Sequence, residues 1–282
     1  MADSSRPVLP TRFLATSLRI SRFLFHQMAH HTLIWHLSLG TRCWFQILCV
    51  LCLLYQRSFY SSRQGADTIW RLSRKDDFTI SGSIPQPTGS GPRHIALFGR
   101  LSAQTHPSDI KWLIFAAEDW LYTLHETTST LSVQKISNDP RGESSVIDTV
   151  SITPPNAPAG AIFAAAEILI PCPSSQFPFP YIYVSNRNIG VLDPRGDTIA
   201  IFEHVNKGRR DERLRLVQQV YTGLAQIRGM EFGPAPQEYL IAGGANGSTG
   251  VAMLRRTEYG RNLEVVVRNL EIANRTSFVW LQ

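Results

Sequence analysis

Four ionisable residues occupy one place in a recurring run of this chain. Arg93 and His94 open RHIAL, Glu167 stands in AEILI, and Arg228 opens RGMEF. A His and a Glu brought together can move a proton, and guanidinium forks hold carboxylates or phosphates in bidentate fashion. Such a set suits proton transfer on a small anionic substrate. His94, Glu167 and Arg228 are the candidate catalytic residues, and Arg93 is a candidate substrate ligand beside them. Glu126 in LHETTSTL and Arg187 in VSNR end the second runs, where each either reaches the same place or pins a turn. Both are further candidate substrate ligands. The alternative role for any one of these groups is to satisfy backbone polar atoms between sheets; their common register argues for a site.

The elements that must position them are short strands. Between Ala164 and Gly229 the runs AAAEILI, YIYVSNR, TIAIFEHV and LRLVQQV are each closed by Gly, Pro, Asn or Asp, and IRGMEF starts the pattern again. That describes a four-stranded antiparallel meander. Laid over one another, the first runs are RHIAL, AEILI, RGMEF and TSFVW, and the second runs are LYTLHE, IYVSNR and YLIAGGAN. Tyr122 to Tyr183 is a step of 61 residues, and Leu214 to Leu263 one of 49. A four-stranded unit repeating on that scale is the signature of a β-propeller. The expected fold is therefore all-β, built of four-stranded antiparallel blades. The first strand of each blade lines the central channel, which brings Arg93, His94, Glu167 and Arg228 to one mouth.

TIWRLS and DFTISGSI read as the last two strands of an earlier blade. TSFVWL reads as a lone first strand, completed by residues from the other end of the chain to close the ring. The expected organisation is an N-terminal extension over residues 1–65, poorly ordered or foreign to the fold, followed by propeller blades over residues 66–282.

Composition narrows the partners. The chain has 282 residues, 43% hydrophobic and 18% charged, enough to bury a core. Its net charge of +6 arises within residues 1–65, where seven Arg face only Asp3. The rest is balanced, so no nucleic-acid groove is expected. CWFQILCVLCLLY, the most apolar window, is 13 residues long and falls short of the roughly 20 needed to cross a bilayer. No membrane span is expected. Cys49 and Cys52 have CxxC spacing without a second pair, which argues against a metal site. Four cysteines fit reduced thiols of a cytoplasmic protein, while the Arg- and Ser-rich first 27 residues have the alternative composition of a mitochondrial presequence. KGRRDERLR reads as a solvated loop. GGANGSTG lacks the Lys-Ser/Thr of a phosphate loop and reads as a hairpin turn.

GPRHIAL, AAAEILI, YIYVSNR, DTIAIF, VQQVYTG, IRGMEF and TSFVWL also occur in the order found in the seven-bladed lactonase, or cycloisomerase 2, family, which residues 79–282 resemble. The family includes fungal carboxy-cis,cis-muconate cyclase and a phosphogluconolactonase. The resemblance implies a seven-bladed propeller, incomplete here, with a site that uses no cofactor and no metal. It implies an isomerase of aromatic catabolism that closes a carboxymuconate-type polycarboxylate to a γ-lactone. Its alternative is a lactone hydrolase of the phosphogluconolactonase type. His94, Glu167 and Arg228 match the family's His, Glu and one Arg. A second Arg is implied between His94 and Glu167, and neither Arg100 nor Arg141 takes its place. With the shortened front, that departure leaves a reading of another class, a non-catalytic propeller remnant that binds a protein partner.

Overall fold

The computed structural model describes residues 58–73, 79–98, 120–246, 250–272 and 275–281. Their regular structure is strand, apart from two single 3₁₀ turns. The first sheet has three strands, β1 (Ser58–Arg63), β2 (Thr68–Ser73) and β3 (Thr79–Pro85). Three four-stranded antiparallel blades follow, each in simple sequence order. The second contains β4 (Pro92–Phe98), β5 (Trp120–His125), β6 (Thr130–Lys135) and β7 (Val146–Ser151). The third contains β8 (Phe163–Leu169), β9 (Ile182–Asn188), β10 (Thr198–Val205) and β11 (Arg213–Tyr221). The fourth contains β12 (Ile227–Phe232), β13 (Tyr239–Gly244), β14 (Val251–Thr257) and β15 (Asn262–Asn269). Strand pairing starts at Ser58, ahead of the expected start of the blades at residue 66. Cys49, Cys52, Arg100 and WLIFAA lie outside the described residues.

Alternation along the middle strands places successive side chains in two different cores. In β10, Ile199 and Ile201 pack towards the fourth blade, while Ala200 and Phe202 pack towards the second. In β9 Tyr183 takes the first side, and Ile182 and Val184 take the other. A strand covered on both faces must be apolar throughout, which is why YIYV and TIAIF carry no polar face. Each fully buried Ile or Phe contributes about 1.5–3 kcal/mol of transfer free energy. These two inter-blade layers are therefore the main source of cohesion.

Several polar side chains between blades find specific partners. Arg256, 3% exposed, lies 4.0 Å from the centre of the Phe177 ring and donates from Nε to the Tyr183 hydroxyl at 3.0 Å. That hydroxyl donates to the Gly260 carbonyl at 2.5 Å. Most of KGRRDERLR is exposed, as expected of a solvated loop, but Lys207, Glu212 and Leu214 pack inward, and Lys207 and Glu212 reach the second blade. Glu212 accepts from Trp120 Nε1 at 2.8 Å and lies 2.9 Å from His204 Nε2, while Lys207 sits 5.0 Å over the Trp120 ring. Burial holds Lys207 below its usual range and lowers His204 to about 4.

TSFVWL forms no strand in the structure, and the ring closure expected of it is not made among the described residues. It lies instead on the outer face of the fourth blade. A Cβ at Gly229 would come 2.2 Å from the Thr276 carbonyl oxygen, and one at Gly243 would come 2.6 Å from the Phe278 ring. Glycine at both positions lets the segment sit directly on β12 and β13.

Candidate active site

The first strands β4, β8 and β12 are neighbours, β4 packing on β8 and β8 on β12. Each is irregular at one point. In β4 the pairing with β5 shifts between Pro92 and His94, leaving Arg93 as an extra residue. In β12 it shifts between Ile227 and Gly229, leaving Arg228. In β8 Ala166 and Glu167 together face Ser185 alone. A β-bulge bends its strand and re-aims the side chains there. All four first-strand candidates thus stand at or beside the bulge of their blade.

The bulges leave backbone groups without ladder partners, and side chains satisfy them. The Glu167 N–H donates to Ser185 Oγ at 3.0 Å, and that hydroxyl donates to the Ile227 carbonyl at 3.2 Å, linking the third and fourth blades. Arg93 Nε donates to the Ala166 carbonyl at 3.2 Å, linking the second and third.

Two ionic groups result. His94 Nδ1 lies 2.9 Å from Glu167 Oε2, with side-chain exposures of 27% and 13%. Beside it, Glu126 bridges two guanidiniums, Arg93 Nη1 at 2.8 Å on one oxygen and Arg187 Nη2 on the other. Burial pushes the Glu126 carboxyl up, but the two arginines together outweigh it and hold the group below the usual carboxylate range. Arg187 is lowered by burial against the pull of Glu126, with Arg93 and Arg228 adding to the depression. Arg228 is therefore within electrostatic reach of Arg187, and it is exposed. Arg141 is also exposed, its amide tied to Asp139 in a turn.

Five of the six expected residues thus fall into two ion-paired groups, and Arg228 lies within electrostatic reach of Arg187 without a contact to them. Arg93 meets Glu126, and His94 meets Glu167. A seventh group, Glu231 on β12, was not anticipated. Burial, with the charge of Glu167 adding to it, raises its carboxyl to about 7. The signal was a single acid inside the apolar run IRGMEF.

Residues 57–280 match the model of a family described as lactonase, 7-bladed beta-propeller. The chain belongs to this family. No curated protein sequence matches it. Among solved structures, the lactonase-family chain is similar to a putative 6-phosphogluconolactonase from Bacteroides fragilis, with TM-score 0.53 and 17% identity over 78% of this chain and 53% of that one. It is similar to a periplasmic gluconolactonase from Pseudomonas aeruginosa, with TM-score 0.56 and 15% identity over 77% and 52%. It also resembles a putative 6-phosphogluconolactonase from Bacteroides uniformis, with TM-score 0.51 and 20% identity over 74% and 50%. These likenesses show the fold, and the chain spans about half the length of those structures. The described residues supply three four-stranded blades and one three-stranded sheet of the seven blades in the family's description. No helix among them is long and apolar enough to cross a membrane.

Proposed function

We propose that this chain is a lactone hydrolase acting on a small anionic sugar-acid lactone. The observation that carries the reading is the 2.9 Å contact of His94 Nδ1 with Glu167 Oε2, beside an Arg93–Glu126–Arg187 group that Arg93 anchors to the neighbouring Ala166 carbonyl. With Nδ1–H donated to the carboxylate, His94 presents the lone pair of Nε2. A water there gives its proton to Nε2 as its oxygen attacks the lactone carbonyl. Glu167 steadies the imidazolium, and Arg228 faces the negative charge that develops on the carbonyl oxygen. Collapse of the tetrahedral intermediate breaks the ring C–O bond, and the leaving alkoxide takes the proton back from Nε2. The product is a hydroxy acid, which ionises and acidifies the medium.

While Glu231 holds its proton, three guanidiniums against the carboxylates of Glu126 and Glu167 leave an excess of positive charge, which favours an anionic substrate. The same groups could close a carboxymuconate to a γ-lactone. Hydrolysis is preferred because two solved structures that the chain resembles are described as a putative 6-phosphogluconolactonase and a periplasmic gluconolactonase.

The test uses the full chain with gluconolactone, phosphogluconolactone and carboxymuconate, reading acid release with a pH indicator and diene loss by ultraviolet absorbance. Acid release from a lactone above the spontaneous rate is expected, falling by about 10²–10⁴ in His94→Gln and in Glu167→Gln. Diene loss alone would assign the cyclase. Unchanged lactone turnover in both variants would overturn the catalytic assignment, and no turnover of any substrate would leave the binding remnant as the reading.

A further inference from the structure

Beyond the guanidiniums, the third blade ends in aliphatic side chains that face water. The ladder between β8 and β9 keeps its register past the strand ends. The Ile189 N–H donates to the Ile162 carbonyl at 2.7 Å, and the Val191 N–H donates to the Gly160 carbonyl at 3.0 Å. Ala164 pairs with Arg187 in that same register. Ile162 and Ile189 therefore stand one step beyond Arg187 on its face of the sheet, about 7 Å along the strand. An added Cβ at Gly160 would come 3.0 Å from Val191 Cγ2, and one at Gly190 would come 3.1 Å from Ile162 Cγ1, so both side chains lie directly on the hairpin backbone. Ile162, Ile189, Val191 and Leu192 are 59%, 53%, 54% and 51% exposed. Four adjoining exposed aliphatics make a patch, which scattered surface residues do not. Leu192 also lines a cavity of about 290 Å³ between the β9–β10 turn and the β11–β12 link, with Pro194, Leu224 and Ala225. The two carboxylates in its wall are engaged. Asp193 Oδ2 accepts from Arg195 Nη2 at 2.7 Å, and Asp197 Oδ2 accepts from the N–H groups of Asn188 at 3.0 Å and Gln226 at 2.6 Å.

We propose that this ledge and the cavity behind it are a subsite for an alkyl or aryl arm of the substrate, whose anionic head lies among the guanidiniums. The inference rests on the hydrolase reading and narrows it to sugar-acid lactones that carry such an arm. The occupant is part of the substrate because the patch is continuous with the candidate site: the strand that presents Arg187 presents Ile189 next on the same face. An unsubstituted sugar lactone carries hydroxyls and gains nothing from aliphatic walls. An apolar arm leaves water there, and the ledge residues leave water with it.

Calorimetric titration of the full chain with methylsuccinate and octylsuccinate tests this, since both carry the anionic head and neither holds a lactone to hydrolyse. Octylsuccinate should bind at least about tenfold more tightly. Ile189→Ser and Leu192→Ser change exposed side chains, and each should cut that preference by about threefold or more with circular dichroism unchanged. Octylsuccinate binding no tighter than methylsuccinate, or not at all, would overturn the proposal. So would a preference that survives in both variants, which would place the octyl chain on another surface. The hydrolase reading is tested apart from this by lactone turnover: an octyl preference lost in the variants, with no lactone turned over, supports the subsite and refutes the hydrolase.

Discussion

Glu231 offers a measurement in which structure and linkage fix both sign and size. Its carboxyl sits on β12, on the same face as Gly229 and under the C-terminal segment, and burial with the charge of Glu167 raises it from 4.5 to about 7. Below pH 4.5 the folded and unfolded states both hold the proton, and the group is neutral in its effect. Between 4.5 and 7 the unfolded chain ionises first, so stability is lost as pH rises, and the full loss is present above 7. The shift corresponds to about 3 kcal/mol at 1.36 kcal/mol per unit. Solvent screening on its partly open side reduces this to about 1–2 kcal/mol. Glu231→Gln keeps the shape and removes the ionisation. Urea unfolding at pH 8 should find the variant more stable than wild type by that amount, with the difference vanishing near pH 4.5. If Glu231→Gln is equal to or less stable than wild type at pH 8, the carboxyl is either solvated or paired in the folded state, and the argument fails.

Two further outcomes follow from the same contacts. Glu126→Gln leaves Arg93 and Arg187 facing each other without their bridge, and urea unfolding at pH 7 should show a loss of about 2–3 kcal/mol, below the range for a fully buried pair. If the proposed hydrolase activity is found, KM for an anionic lactone should also move more than kcat. Tyr183→Phe strips Arg256 of an acceptor and the Gly260 carbonyl of a donor inside the layer between the third and fourth blades. Thermal or urea unfolding should register about 1–3 kcal/mol, with the four-stranded blades retained by circular dichroism.

Much of the fold was legible because its signals are local. YIYVSNR and TIAIFEHV announce strands by composition, and DPRGD announces their turn. In that turn Gly196 adopts φ +82°, and its missing Cβ would come 2.4 Å from Gly223. The stacking of RHIAL, AEILI and RGMEF gives them one register, and His94 and Glu167 stand on the neighbouring first strands β4 and β8. TSFVWL misled for the opposite reason. It has the composition of a strand, yet a strand exists only where another backbone offers hydrogen bonds, and no described part of this chain offers them to it. In KGRRDERLR most charges are solvated as their mixed signs suggest, but the inward role of Glu212 was not legible, because Trp120 and His204 reach it from distant parts of the chain.

The sequence by itself determined that the chain is all-β, where most of the blade strands and turns fall, and which ionisable groups share the start of the first strands. Those properties rest on period-two alternation and turn chemistry, each confined to a few neighbouring residues. Only the tertiary structure decided which charge meets which, pairing His94 with Glu167 and giving Arg93 and Arg187 to Glu126. A one-residue slip at each bulge sets those directions. The slip is fixed by packing between blades, because reversing it would turn every following side chain from one core into the other.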